Sequence, residues 1–253
     1  MHEIFKKLPK TDKKVISILS GGLDSSSLTL ILKEFYGSEN IHAISFNYGQ
    51  KQEAEIYKAH ELCYHLGISH EMMDLRILGE ITKDHTSNIV GSSISVPTSE
   101  EVEGNQQPKT YIPNRNMIMY SIVAAKAEVI GAEYIFCGVQ EGDAVGYWDT
   151  TSEWVKRMNN TLSLNRESPI KLISPFSSLS KYDEIMILKD LDLLDYLKYT
   201  LSCYNPNEKD ESCGVCPACK ARIEAFAKAG IRDPIKYSIT IDWPKEFSKY
   251  KDN

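Results

Sequence analysis

The chain has 253 residues, of which 42% are hydrophobic and 25% charged, a composition that excludes wholesale disorder and supports one substantial core. Its net charge is −6, and the eight Lys/Arg against five Asp/Glu in the last 34 residues read as a solvated face, so no strong nucleic-acid signal is present. No run approaches the roughly 18 apolar residues of a membrane span, residues 1–14 are polar, and the apolar run after them is too short for a signal peptide; a cytoplasmic protein with no membrane partner is expected.

In chain order, 15–19 is a short apolar run and reads as a buried strand. Residues 26–35 have helical spacing, 41–46 read as a second strand, 50–66 as an amphipathic helix ending before Gly67, and 71–75 as a third strand. The β-α-β-α-β order predicts a Rossmann-like α/β fold, a parallel sheet with helices on both faces. Residues 82–110 are polar with little periodicity and read as a flexible, lid-like loop. Helices are expected over 116–130, 152–164, 181–191 and 217–229, and a strand over 134–139. The expected organisation is an α/β domain over 1–200 and a helical, cysteine-bearing region over 201–253.

The string Ser20-Gly21-Gly22-Leu23-Asp24-Ser25-Ser26 lies between a strand and a helix. Paired glycines let the backbone approach a ligand, the serines add donors, and the helix N-terminus adds positive partial charge. The string therefore reads as a pyrophosphate cradle, although a capped structural turn is the plainer alternative. It lacks the lysine of a Walker A loop. Asp24 reads either as a loop or hydrated-metal holder or as an ordinary acid at a helix start.

Cys203, Cys213, Cys216 and Cys219 fall within 17 residues, the last three at C-x₂-C-x₂-C spacing. Four thiolates suit a closed structural zinc site, with an iron–sulfur cluster as the alternative. Cys63 and Cys137 read as buried small apolar residues.

The glycine string resembles the loop of the N-type ATP pyrophosphatases. The ordered combination of motifs resembles the 7-cyano-7-deazaguanine (preQ0) synthase family across residues 14–237. Its carriers are 19–28, Phe46-Asn47-Tyr48-Gly49-Gln50, Tyr111-Ile112-Pro113-Asn114-Arg115-Asn116, the Gly138–Asp149 segment, and the two cysteine segments at 201–205 and 213–222.

The resemblance implies an ATP-dependent carbon–nitrogen ligase of queuosine biosynthesis. Its substrates would be 7-carboxy-7-deazaguanine and ammonia, with Mg²⁺ on the nucleotide, one structural Zn²⁺ per chain, and a homodimer. It implies catalytic roles for Ser20, Asp24, Ser25, Arg115 and Lys181. ATP contacts are implied for Leu19, Ser20, Gly21, Gly22, Leu23, Asp24, Ser25, Ser26, Ser27, Leu28, Phe46, Arg115, Asn116 and Gly138. Deazaguanine contacts are implied for Tyr48, Gln50, Glu141, Asp143, Tyr147 and Asp149, and metal ligation for the four clustered cysteines. Read without the family, Arg115-Asn116 is a helix-start pair and Lys181 a solvated lysine.

The segment 144–151 departs from the family pattern. Ala144-Val145 stand where an aromatic and a serine are usual, Trp148 where proline is usual, and Thr150-Thr151 where a Cys-Arg pair is usual. An enzyme that makes an amide, or acts on another deazapurine or a protein acceptor, is therefore the second reading. A transfer-RNA-modifying pyrophosphatase is disfavoured by the acidic charge, and a nucleotide-binding module without turnover by the intact loop.

Overall fold

The computed structural model describes residues 2–95, 108–140, 146–165 and 170–250. Five parallel strands form one sheet in the order β3-β2-β1-β4-β5. They are β1 (Val15–Ile18), β2 (Ile41–Asn47), β3 (Ser69–Asp74), β4 (Tyr134–Phe136) and β5 (Lys171–Ile173). The helices are α1 (Leu23–Tyr36), α2 (Ala54–Leu66), α3 (Arg76–Thr82), α4 (Arg115–Ile130), α5 (Ser152–Leu162), α6 (Lys181–Asp190), α7 (Pro217–Lys228) and α8 (Trp243–Ser248). The expected α/β fold is present.

Strand periodicity divides the core into two layers. Val15 and Phe136 pack on one face with Leu30, Ile31, Ile185 and Phe226 from α1, α6 and α7. Ile16, Ile44 and Ile135 point to the other face, against Met119, Tyr120 and Val123 of α4. The α7 residues Ala225 and Phe226 thus share the buried layer under α1.

The strand order places a switch point between β1 and β4, the place where open parallel sheets bind ligands beyond their carboxyl ends. The chain leaves β1 there through Leu19–Gly22 and leaves β4 through Gly138. A Cβ on Gly138 would lie 2.9 Å from both Cα and N of Ser25, so only glycine lets β4 end against the first turn of α1.

Several expected boundaries shift. α1 starts at Leu23 rather than 26, which puts Asp24 and Ser25 in its first turn. The expected strand over 71–75 is found as Ser69–Asp74, and β4 stops at Phe136. The three-residue strand β5 and the short helices α3 and α8 carry little periodic signal and were not expected. Within 82–110, Thr82, Thr86, Ser87, Asn88, Ile89 and Thr110 are buried. Lys51 donates its N–H to the Asn88 carbonyl at 2.9 Å, and Ser87 to that of Lys109 at 2.8 Å. The 88–90 stretch is therefore packed on the β2–α2 connection, and residues 109–110 are tied to it through Ser87 and Asn88.

On edge strand β3, His70 sits half-buried between His60 and His42, and its Nε2 pairs with Ser45 Oγ at 2.8 Å. Burial, then His60 and His42, depress its pKa to about 4. An unfolded histidine, with a pKa near 6.5, takes a proton first as pH falls. Stability is therefore full above pH 6.5 and declines between 6.5 and 4, by about 2 kcal/mol after allowing for partial exposure. Thermal melts across that range should show the decline, and His70→Asn should flatten it.

Candidate active site

The glycine string forms a compact turn at the switch point. Ser20 and Ser25 hydroxyls pair at 2.9 Å, and the Ser20 N–H donates to Ser25 Oγ at 3.1 Å. Gly22 N–H donates to Ser20 Oγ at 3.3 Å. Gly21 has φ +91, and a Cβ there would stand 1.9 Å from the Glu55 carbonyl oxygen of α2. Gly21→Ala should therefore cost about 3 kcal/mol or more, combining left-handed strain with backbone overlap. A drop in the denaturant midpoint would register it.

The loop is braced from the C-terminal region. Leu201 N–H donates to the Gly21 carbonyl at 2.9 Å, and Leu23 N–H to Ser202 Oγ at 2.8 Å. Arg222 of α7 fixes this brace. It is fully buried and forms a bidentate pair with buried Asp233, at 2.6 and 2.9 Å. The same guanidinium donates to Thr200 Oγ1 at 2.8 Å and to Ser202 Oγ at 3.4 Å. Tyr237 donates to Asp233 at 2.7 Å.

Two cavities flank the loop. The first, about 320 Å³, is lined by Leu19, Ser20, Asp24, Ser25, Phe46, Tyr48, Arg115, Asn116, Gly138 and Tyr147, among others. The second, about 510 Å³, lies between the loop, the start of α6 at Ser180–Tyr182, and the Pro217/Ala218/Ala221/Ala225 face of α7. Ser20, Asp24, Glu55 and Tyr204 line both.

The resemblance implied one site for Asp24 and Lys181, which the residues alone did not, and the structure joins the two side chains. Lys181 Nζ is 2.5 Å from Asp24 Oδ1, which also accepts from Gln140 Nε2 at 2.6 Å. Lys181 is the first residue of α6, after a capping box of Ser180 and Asp183. A cation at the positive end of a helix is unfavourable by the dipole, so the Asp24 carboxylate is what holds it there. Arg115 is anchored by Asn116 Oδ1, to which its Nε and Nη2 donate at 3.2 and 3.1 Å, and its guanidinium lies over the Tyr48 ring.

Four other expected contacts lie away from both cavities. Leu23, Ser26, Ser27 and Leu28 are buried behind the loop in the first two turns of α1. Gln50 lines the first cavity, but its side chain closes a bracket. Its Oε1 accepts from Tyr48 N–H at 2.9 Å and its Nε2 donates to the Phe46 carbonyl at 2.9 Å. Tyr147 pairs with Thr110 through their hydroxyls at 2.5 Å. Burial pushes the Asp149 carboxyl up, and nearby Arg115 opposes that shift. Glu141 and Asp143 lie outside the described residues.

Sequence reasoning missed Glu55, Gln52, Asn88, Ser202 and Tyr204. Glu55 retains some surface toward the cavities, yet its carboxyl is deep. Burial, reinforced by Asp24, raises its pKa well above the usual carboxylate range, while the Cys203 N–H opposes the rise.

The four clustered cysteines converge, with all Sγ atoms within 4.8 Å of one another and Cys213 and Cys219 sulfurs at 3.9 Å. A tetrahedral ion with about 2.3 Å bonds to sulfur needs edges of about 3.8 Å, so the set fits a four-coordinate thiolate metal. Backbone N–H groups of Asn205 and Cys213 point at Cys203 Sγ, at 3.3 and 3.2 Å, and that of Cys216 at Cys213 Sγ, at 3.3 Å. Such donors favour thiolates.

Residues 14–230 match the family described as queuosine biosynthesis protein QueC. A 7-cyano-7-deazaguanine synthase of Methanococcus maripaludis is 35% identical over 236 residues, covering 89% of this chain and 99% of that protein. Proteins of the same name from Oceanobacillus iheyensis and Rickettsia felis are 37% and 39% identical over 233 residues each, covering 90% and 89% of this chain and 99% of each relative. With the family model matching residues 14–230 and relatives of 35–39% identity spanning most of its length, the chain belongs to the QueC family.

Proposed function

We propose that this chain is an ATP-dependent carbon–nitrogen ligase that converts 7-carboxy-7-deazaguanine and ammonia to 7-cyano-7-deazaguanine, in queuosine biosynthesis. The observation that carries the reading is the serine-lined loop at the switch point, with Lys181 set across it on Asp24 and a cavity on either side.

The chemistry balances in two rounds. The substrate carboxylate oxygen attacks the α-phosphorus of ATP and pyrophosphate leaves. Ammonia then displaces AMP, giving the amide and releasing a proton. The amide oxygen attacks a second ATP, pyrophosphate leaves again and the nitrogen gives up one proton, and loss of AMP with the remaining N–H proton leaves the nitrile.

The residues divide this work by chemistry. The N–H groups of the loop, with Ser20 and Ser25, hold the departing pyrophosphate at the start of α1. Lys181 neutralises its charge, and Asp24 keeps that lysine in place. Arg115 stabilises the phosphoryl or carboxylate oxygens through its planar fork. Phe46, Asn116 and Gly138 bound the nucleoside side of the first cavity. Asp24 and Glu55 are the acids that line both cavities; Asp24 would hold Mg²⁺ brought in on the nucleotide, and the ion would offset phosphate charge.

The thiolate cluster holds zinc in a structural role, keeping Ser202 against the loop. Elemental analysis should give one zinc per chain, and Cys216→Ser should lose it. A homodimer in the cytoplasm completes the proposal, from the family resemblance and the frequency of two-fold assemblies. No described helix is long and apolar enough to cross a membrane.

The test is nucleotide analysis of a reaction with and without the deazapurine. AMP and pyrophosphate formed only in its presence support the proposal. ADP and phosphate, or AMP formation indifferent to the base, would overturn it.

A further inference from the structure

We propose that His70 and Ser45, which line neither cavity, are positioning residues that set the glycine loop through the carbonyl of Leu19. The inference rests on the reading above for what the loop holds, a departing pyrophosphate. It rests on a chain of hydrogen bonds for how the loop is set.

The chain starts on edge strand β3. His70 Nε2 lies 2.8 Å from Ser45 Oγ of β2, and Ser45 Oγ lies 2.5 Å from the Leu19 carbonyl oxygen. Proton counting gives each bond its direction. A carbonyl only accepts, so the single hydroxyl proton of Ser45 goes to Leu19. Toward His70 the hydroxyl then offers only lone pairs, so His70 Nε2 carries a proton and donates it. A serine hydroxyl is otherwise a rotor, and the His70 donor turns its proton toward Leu19. From α2, His60 Nδ1 stands 3.4 Å from His70 Nδ1 and backs the ring on its other side.

Leu19 is where β1 gives way to the loop. Its N–H donates to the Ile44 carbonyl at 2.9 Å, so the backbone of β2 holds one side of the residue. The side chain of Ser45, the next residue of β2, holds the other. A peptide is a rigid plane with its C=O and N–H on opposite edges. Pinning the Leu19 carbonyl therefore aims the N–H of the same plane, that of Ser20, which donates to Ser25 Oγ at 3.1 Å. Ser25 Oγ pairs with Ser20 Oγ at 2.9 Å, and both serines line the first cavity.

Bonds in such a chain polarise one another, so each link strengthens the next. Ser45 is buried, which shields its link from competition by bulk water. The chain thus carries the orientation of a side chain at the sheet edge to the two hydroxyls assigned to the pyrophosphate.

The experiment is calorimetric titration of full-length, zinc-loaded protein with magnesium pyrophosphate and, separately, with AMP. Steady-state kinetics well below the melting transition accompany it. Ser45→Ala and His70→Phe should each weaken pyrophosphate about tenfold and lower kcat by about the same factor, with AMP affinity and the KM for the deazapurine little changed. His70→Gln, which can present an amide N–H to Ser45, should recover most of both losses. Ser45→Ala removes a single oxygen and carries the test should His70→Phe fail to fold. Folded variants with wild-type pyrophosphate affinity would overturn the inference and leave the proposed reaction standing. Equal losses of pyrophosphate and AMP, or a His70→Gln protein as weak as His70→Phe, would also overturn it. Wild type that binds no pyrophosphate would overturn both. The expected binding pattern in a protein that forms no AMP with the deazapurine would refute the proposed reaction and uphold the positioning role.

Discussion

Lys181→Ala should lower kcat/KM by a factor on the order of 10² to 10³, with the melting temperature little changed. The reasoning starts from where the lysine is. It is the first residue of α6, where its charge opposes the helix dipole, and it is about one-fifth exposed. Its partner Asp24 lies in the first turn of α1, likewise at a positive helix end, where a carboxylate is favoured. Removing the lysine relieves one unfavourable term and loses one partly exposed ion pair, so the two effects on stability largely offset. On the proposed mechanism nothing offsets the loss at the glycine loop, where a fixed cation would meet the charge that builds as pyrophosphate departs. Asp24→Asn should also reduce activity, because the lysine loses the group that holds it. Steady-state kinetics beside thermal melts check both variants. A Lys181→Ala protein with normal turnover would remove the lysine from the chemistry.

Arg222→Met should destabilise the protein by about 3–5 kcal/mol, because it leaves the Asp233 carboxylate buried without its cation. At this chain length that corresponds to roughly 10–15 °C in melting temperature. The arginine bonds to Asp233, Thr200 and Ser202 at once, and Ser202 in turn accepts the Leu23 N–H at the loop. The substitution should therefore also reduce activity at temperatures where the protein remains folded. Replacing both members of the pair, Arg222→Met with Asp233→Leu, should recover part of the stability, since the unpaired charge is gone. It should not recover activity, because Ser202 still lacks its donor. Thermal melts of the single and double variants, with assays well below the transition, separate the two effects.

Legibility in the sequence followed distance along the chain. The glycine-serine string and the cysteine spacing are local patterns, and the structure shows a compact turn at the first and converging sulfurs at the second. Gln50 lines the first cavity, yet its amide is engaged locally. It sits in a motif, but its amide spans only from residue 46 to 48 and serves as a bracket. Gln52, Asn88 and Glu55 carry no pattern, and Ser202 sits in a motif that reads as part of the cysteine cluster, so its place against the loop comes only from the distant Leu23 N–H. Arg222 was visible beside the last cysteine, yet nothing in the string shows that it is buried on Asp233. The polar composition of 82–110 hid Ile89, one apolar residue that enters the core and pins the segment. β5 has three residues, too few to show a period. The parallel fold was legible because the long apolar runs and amphipathic helices alternate in order.

The central claim is that both carboxylate oxygens of the substrate leave on AMP. The direct measurement is mass spectrometry of a reaction containing the protein, Mg-ATP, ammonia and 7-carboxy-7-deazaguanine labelled with ¹⁸O in its carboxylate. The expected result is an unlabelled nitrile, with AMP carrying one heavy oxygen per molecule and two AMP formed per base. An amide that retains one heavy oxygen as the final product, or AMP without label, would contradict it.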